Sequence, residues 1–318
     1  MRAFLLAGGF ATRLWPLTEK RAKPLLPLAG KPLIDHLLEQ LPADLPVTVS
    51  INAAFQESFD HWKVQSKHIN TEILVEQARK DTEKLGALGA VAQWIARQHI
   101  TDDVLLLTGD NYCGFSIAHF LEQYTSGTPL VAAYDIGDPA RAQGFGTIVP
   151  DVNGTHVAAF EEKPPHPSSS LVSTGVSILP AAHLPVVMEY AQKKPDNVGG
   201  IFEEFLHRGI PVEFRAFTEP WFDIGSFEAY LEATRVLVGD RVLLGHGAAC
   251  EKTTSEGPVV LGNHSMVRNA TLRNVIMFEH CTVEDCVLTD CILDDHCTLK
   301  GIDLSKQMLR EGTILERK

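Results

Sequence analysis

The chain has 318 residues, 45% hydrophobic and 21% charged, enough apolar material for one large core and a smaller second unit. Its 28 Lys and Arg stand against 40 Asp and Glu, a formal charge of −12, which argues against broad nucleic-acid binding, since that requires a basic face. No stretch approaches the roughly 20 apolar residues of a membrane span, and the apolar run after Met1-Arg2 stops at Gly8-Gly9, too short for a secretory leader; the expectation is a cytoplasmic protein.

The first 31 residues run against the acidic balance, with Arg2, Arg13, Lys20, Arg21, Lys23 and Lys31 against Glu19 alone. Such a concentration suits a small polyanion in one cleft, or simply a solvated basic loop. Residues 3–7 read as a buried strand, because they lack polar alternation and stop at glycines. The Gly8-Gly9 turn that follows is not GxGxxG, and no GxxxxGK occurs. A glycine turn at a strand end still lets backbone N–H groups reach phosphate oxygens with no Cβ in the way. Arg13 can grip a phosphate through two N–H groups. Lys23, set between apolar residues and Pro24, reads as a phosphate clamp or as an ordinary loop lysine.

Strand patterns follow at 46–51, 71–75, 104–108 and 129–134, with helical patterns at 32–40, 56–64, 86–98 and 116–124. This alternation predicts a mostly parallel sheet with helices on both faces. Ligands of such sheets sit at the carboxyl ends of the strands, where Gly8-Gly9 and Gly109-Asp110 fall. Between 144 and 178 short strands at 146–149, 157–160 and 172–179 suggest an antiparallel insertion covering one side of the cleft. Helical patterns return at 181–193 and 227–238.

The tail is a repeat. Residues 267–282 read VRNATLRNVIMFEHCT and residues 283–298 read VEDCVLTDCILDDHCT. Val267, Leu272, Met277, Val283, Leu288, Leu293 and Leu299 are spaced 5, 5, 6, 5, 5, 6, which fits a three-sided β-helix whose coils bury their apolar residues by stacking. Cys281, Cys286, Cys291 and Cys297 share the spacing and read as small inward side chains; no CxxC pair suggests zinc. His264, His280 and His296 are predicted to stack along one edge, filling a recurring polar turn position in preference to binding a metal.

LAGGFATRLWPLT followed by KPLLPLAGKPLI resembles the signature of the sugar nucleotidylyltransferases, which include glucose-1-phosphate thymidylyltransferases and mannose-1-phosphate guanylyltransferases. The resemblance continues in order at LGALGAV (85–91), TGDN (108–111), FEEKP (160–164), STGV (173–176) and WFDIGS (221–226), covering roughly residues 1–235. It implies a Rossmann-like three-layer α/β catalytic domain over residues 1–239, then a short left-handed β-helix over 240–318. Leu6, Ala7, Gly8, Gly9 and Arg13 would hold the triphosphate, Lys23 would offset charge at the α- and β-phosphates, and Gln77 and Gly86 would meet the base. Asp110 would join the nucleotide site and, with Asp223, bind Mg²⁺. Gly146, Glu162, Thr174 and Gly175 would contact the sugar, with Lys163 on its phosphate. Two residues depart from the pattern: Ala11 stands where the family has Gly, and Ala22 where it has Pro. An Ala with positive φ costs about 1 kcal/mol.

The implied reaction is transfer of a nucleotidyl group to a sugar 1-phosphate, catalysed by Arg13, Lys23, Asp110, Lys163 and Asp223. The nucleophile is already ionised near neutral pH, so no Ser/His/Asp or Cys/His set is needed. A nucleotide-sensing regulatory subunit would have lost these charged residues, and a glycosyltransferase would carry Asp-x-Asp where this chain has Asp110-Asn111-Tyr112. The 77–91 stretch with Asp110-Asn111 leans toward a thymidylyl- or uridylyltransferase of glucose 1-phosphate; Gly9-Phe10 and Leu14-Trp15 fit a guanylyltransferase of mannose 1-phosphate. The tail is expected to serve stability and assembly of a homo-oligomer, leaving the chemistry intact without it.

Overall fold

In the computed structural model, which describes residues 1–68, 70–78 and 83–317, the first apolar run forms strand β1, Arg2–Leu6. Parallel neighbours follow: β2, Val47–Asn52, β3, Thr71–Glu76, and β4, Val104–Thr108, in spatial order β4-β1-β2-β3. Phe4 packs on Trp94, ring centroids 4.7 Å apart, within a cluster that also takes Leu88, Val91, Val187 and Phe202. Ala3 and Leu5 point to the opposite face and are equally buried, so both faces of the sheet are covered. That is why this strand reads as an unbroken apolar run.

The expected antiparallel strands exist as β6, Gly146–Pro150, β7, Val157–Glu162, and β8, Leu171–Leu179, after β5, Leu130–Asp135. They are not a separate cover. β8 pairs with β4 through Val176–Leu179 and continues the same sheet, consistent with its buried end, where Val176, Ile178 and Leu179 are covered together with Ser177. The sheet runs β7-β6-β8-β4-β1-β2-β3, with β5 on β8 and, parallel to β5, a strand the patterns missed, β9, Glu213–Phe217. The helix Gly200–His207 was also not anticipated; it packs on β7 through Phe202 against Phe160.

The chain divides into two compact units, residues 1–9 with 37–221, and residues 10–36 with 222–318. In the second, the helix Phe227–Val238 precedes a β-helix made of two parallel stacks. Val267 lies over Val283 and Leu299, and Leu272 over Leu288, and all are buried, as the 16-residue repeat requires. Its corners are left-handed: His264, Asn269, Asn274, His280, Asp285, Asp290 and His296 all have positive φ. Asn, Asp and His tolerate that conformation best among residues with a side chain, which accounts for the recurring histidines. The rings of His264, His280 and His296 stack at 5.1 and 5.0 Å, with His246 next at 5.3 Å. Among the described residues no group of three or more His, Cys, Asp or Glu is placed to hold a metal ion. The four repeat cysteines are free and buried, and among the described residues no helix is long and apolar enough to cross a membrane.

Candidate active site

In the first unit, β1 ends in the Gly8-Gly9 turn, which borders a cleft of about 90 Å³ lined also by Leu6, Asn52, Glu76 and Gly86. A Cβ on Gly9 would meet nothing within 4 Å, and one on Gly8 would make ordinary contact with Asn52 at 3.5 Å. Neither the local packing nor a positive φ demands glycine here. Asn52 is buried at the end of β2, its Nδ2 donating to Gly8 O, while its Oδ1 is buried without a partner. An orphaned acceptor at a cleft calls for a ligand or water. Glu76 accepts from Ser50 Oγ at 2.7 Å, and burial pushes its carboxyl above the usual range against bonds from Ser50 and the Leu85 backbone. Gly86 has φ 79°, and a Cβ there would lie 2.5 Å from Pro195 backbone, so packing alone requires this glycine. Gln77 is exposed and does not line the cleft; Glu76 does. Residues 79–82 of the 77–91 stretch lie outside the described residues.

Asp110 follows β4, its Oδ1 accepting from Asn111 Nδ2 at 2.9 Å, and Asn111 Oδ1 is a second buried acceptor without a partner. Farther along the sheet, Glu162 ends β7. Its N–H donates to Glu203 Oε1 at 2.8 Å, and Gly146 and Gly199 leave room for its carboxylate: a Cβ on either would lie 3.0 or 1.8 Å from Oε2. Burial raises the Glu162 carboxyl, Lys163 opposes and Glu203 adds to the rise. Lys163 is exposed, with φ 47° and its Nζ 3.8 Å from Glu162 Oε1. The Thr174 hydroxyl is spent inside the sheet, donating to Ala132 O at 2.9 Å, while Trp221 Nε1 donates to Thr174 O at 3.0 Å. Gly175 has φ 80°, and a Cβ there would fall 1.9 Å from Thr108 Oγ1.

In the second unit, Arg13 sits exposed on a 3₁₀ turn, Thr12–Leu14, its Nη2 3.1 Å from where a Gly225 Cβ would stand. Ala11 before it is left-handed, φ 44° and ψ 45°, as the departure from glycine predicts. Ala22 has φ −64°, the value proline fixes, so its substitution leaves the path to Lys23 unchanged. Lys23 is nearly buried, with Nζ 2.9 Å from Asp223 Oδ1. Sequence reasoning missed Asn52, Glu76 and Glu203, which carry no motif and meet their partners only through the fold.

A nucleotidyl transferase family model matches residues 2–238. A glucose-1-phosphate thymidylyltransferase from Streptomyces antibioticus is 27% identical over 86% of this chain and 76% of its own length. Mannose-1-phosphate guanylyltransferase 1 from Arabidopsis thaliana is 27% identical over 86% of this chain and 73% of its own. A solved Bacillus anthracis structure, provisionally named a glucose-1-phosphate thymidylyltransferase, shares the fold with a TM-score of 0.65 at 22% identity, over 74% of this chain and 94% of that one.

Proposed function

We propose, for a chain that belongs to the nucleotidyl transferase family, that the Gly8-Gly9 turn and its cleft hold the nucleoside triphosphate and that the segment from Gly146 to Gly175 holds the sugar 1-phosphate. The chain is an enzyme of the sugar-1-phosphate nucleotidyltransferase class. The observation that carries the nucleotide reading is the pair of glycines that the fold itself does not require. Bare backbone beside an orphaned acceptor suits a ligand that must come closer than a Cβ allows.

A sugar phosphate oxygen attacks the α-phosphorus in line and pyrophosphate leaves. Bringing two anions together is unfavourable unless cations offset their repulsion. In this reading Arg13 and Lys23 serve the triphosphate and Lys163 the sugar phosphate, with Glu162 and the backbone groups of Gly146 and Gly175 on the hydroxyls; Thr174 supports Gly175. Asp110 and Asp223 are the proposed Mg²⁺ ligands, since carboxylate oxygens are the hard donors this ion takes, and the bound ion would neutralise phosphate charge. Residues 1–239 carry the chemistry and 240–318 form the β-helix. The reaction needs no general base from Glu162 or any other side chain, because the nucleophile arrives ionised.

For the base, the cleft presents the Glu76 carboxylate beside Asn52, with Asp196, paired to Lys84 at 2.9 Å, on the same lining. Guanine presents adjacent N1–H and N2–H donors to such a rim, whereas thymine and uracil present one N–H between two carbonyls. This favours a guanosine triphosphate over the pyrimidine toward which the sequence pattern leans. A pyrophosphate-release screen of nucleoside triphosphates against glucose, mannose, galactose and N-acetylglucosamine 1-phosphates tests both levels. Turnover with no pair refutes the function, and a preference for thymidine or uridine triphosphate refutes the assignment of the base.

A further inference from the structure

The loop that carries Arg13 and Lys23 has little regular structure, only 3₁₀ turns and a two-residue hairpin, Pro27–Leu28 with Lys31–Pro32. Its position therefore rests on side-chain anchors. The chief anchor is Arg21, two residues before Lys23. Its guanidinium donates to Asp294 Oδ1 at 3.0 Å and to Asp295, and lies 5.1 Å from the centroid of the Phe278 ring. One coil farther on, Lys20 pairs with Glu311 at 2.9 Å and Glu19 with Arg310 at 3.1 Å. Those two pairs are exposed and contribute little alone.

The repeat itself marks the spot. Phe278 and Asp294 stand at equivalent places 16 residues apart, each following an aligned pair, Met277 over Leu293. Phe278 is buried, and so is Asp294, at 6% exposure. An acid buried where a coil repeat elsewhere holds an apolar ring is unfavourable unless it is paired, and Arg21 is the pairing cation. Burial holds the Asp294 carboxyl above its usual range even so. A hydrophobic residue would serve coil stacking better, which makes stability alone a poor explanation of this aspartate. The other end of the loop is held as well, by the Tyr230 hydroxyl donating to Pro27 O.

We infer that Arg21, clamped by Asp294 and Asp295, is a positioning residue that sets Lys23 from the β-helix, so that the tail takes part in turnover; this rests on the phosphate role proposed for Lys23. It replaces the expectation that the tail serves only stability and assembly. Neutralising the carboxylates frees the guanidinium and lets the loop, with Lys23, leave its place by a fraction of a side-chain length. Misplacement of about 1 Å costs up to about 100-fold in rate.

The test uses full-length protein with pyrophosphate release as readout and a melting curve for each variant. Asp294→Asn with Asp295→Asn should lower kcat by about 10- to 100-fold, with KM for the sugar phosphate changed less than about 3-fold. Arg21→Gln should match that loss, and adding it to the double variant should cost little more, because both remove one linkage. On a Lys23→Ala background the same substitutions should lose far less than on the native one. Arg21→Lys, which keeps the charge but not the fork, should fall between, and carries the test should the double variant not fold. A folded double variant, or a folded Arg21→Gln, with native kcat overturns the inference, as do losses that multiply with Lys23→Ala. If Lys23→Ala itself keeps native turnover, the role proposed for Lys23 fails instead.

Discussion

Ala11→Gly should make the protein more stable, a reversal of the usual effect of introducing glycine. Ala11 sits at φ 44° and ψ 45°, where the Cβ of an L-residue crowds the following carbonyl at about 1–2 kcal/mol. Glycine removes that strain but enlarges the unfolded ensemble, at about 0.5–1 kcal/mol. The local bonds survive the change, because Leu14 N–H at 3.0 Å and Thr18 Oγ at 2.8 Å both donate to the Ala11 carbonyl. The net gain is about 0.5–1 kcal/mol, or about 1–3 °C in Tm for a chain of this size. Differential scanning calorimetry with and without nucleotide reads it, alongside kcat. A lower Tm would show that the alanine side chain contributes packing outweighing its strain, and the reasoning from φ would be wrong.

Lys163→Ala should raise KM for the sugar phosphate by about 10-fold with a smaller change for the nucleotide, as expected of one lost charge-assisted contact; initial rates with each substrate varied in turn decide it, and a selective nucleotide defect contradicts it. Glu203→Gln should raise Tm at neutral pH but not in acid. The folded Glu162 carboxyl lies above its ordinary 4.5 through burial, with Glu203 adding to the rise, so stability falls as pH climbs from about 4.5 through the folded value. The amide keeps an oxygen for the Glu162 N–H and removes one like charge. The gain should therefore vanish well below 4.5; a gap that is constant with pH refutes it.

Much of this was legible in the sequence because the physics was local. β1 announced itself by an apolar run with no polar face, and the tail by a period that stacking imposes on every coil. The left-handed Ala11 was readable from one missing glycine. What stayed hidden depended on distant partners. β9, with Arg215 and Glu213 on a short strand, has too little apolar pattern to stand out, and its place beside β5 is set by pairing alone. Asn52 and Glu76 lie 24 positions apart and become one cleft only when β2 and β3 pair. Gln77, one residue beyond the end of β3, has left the strand and faces solvent. Arg21 registered only as charge, and Asp294 only as one more residue in the repeat, until the fold put them 3.0 Å apart.

The most direct measurement is turnover of Lys23→Ala and Asp110→Ala, with melting curves to establish folding, using the substrate pair the native protein prefers. Each should fall by about 100-fold or more with the fold retained, since one offsets phosphate charge and the other is a proposed metal ligand. Native turnover in either folded variant would contradict the account of this site.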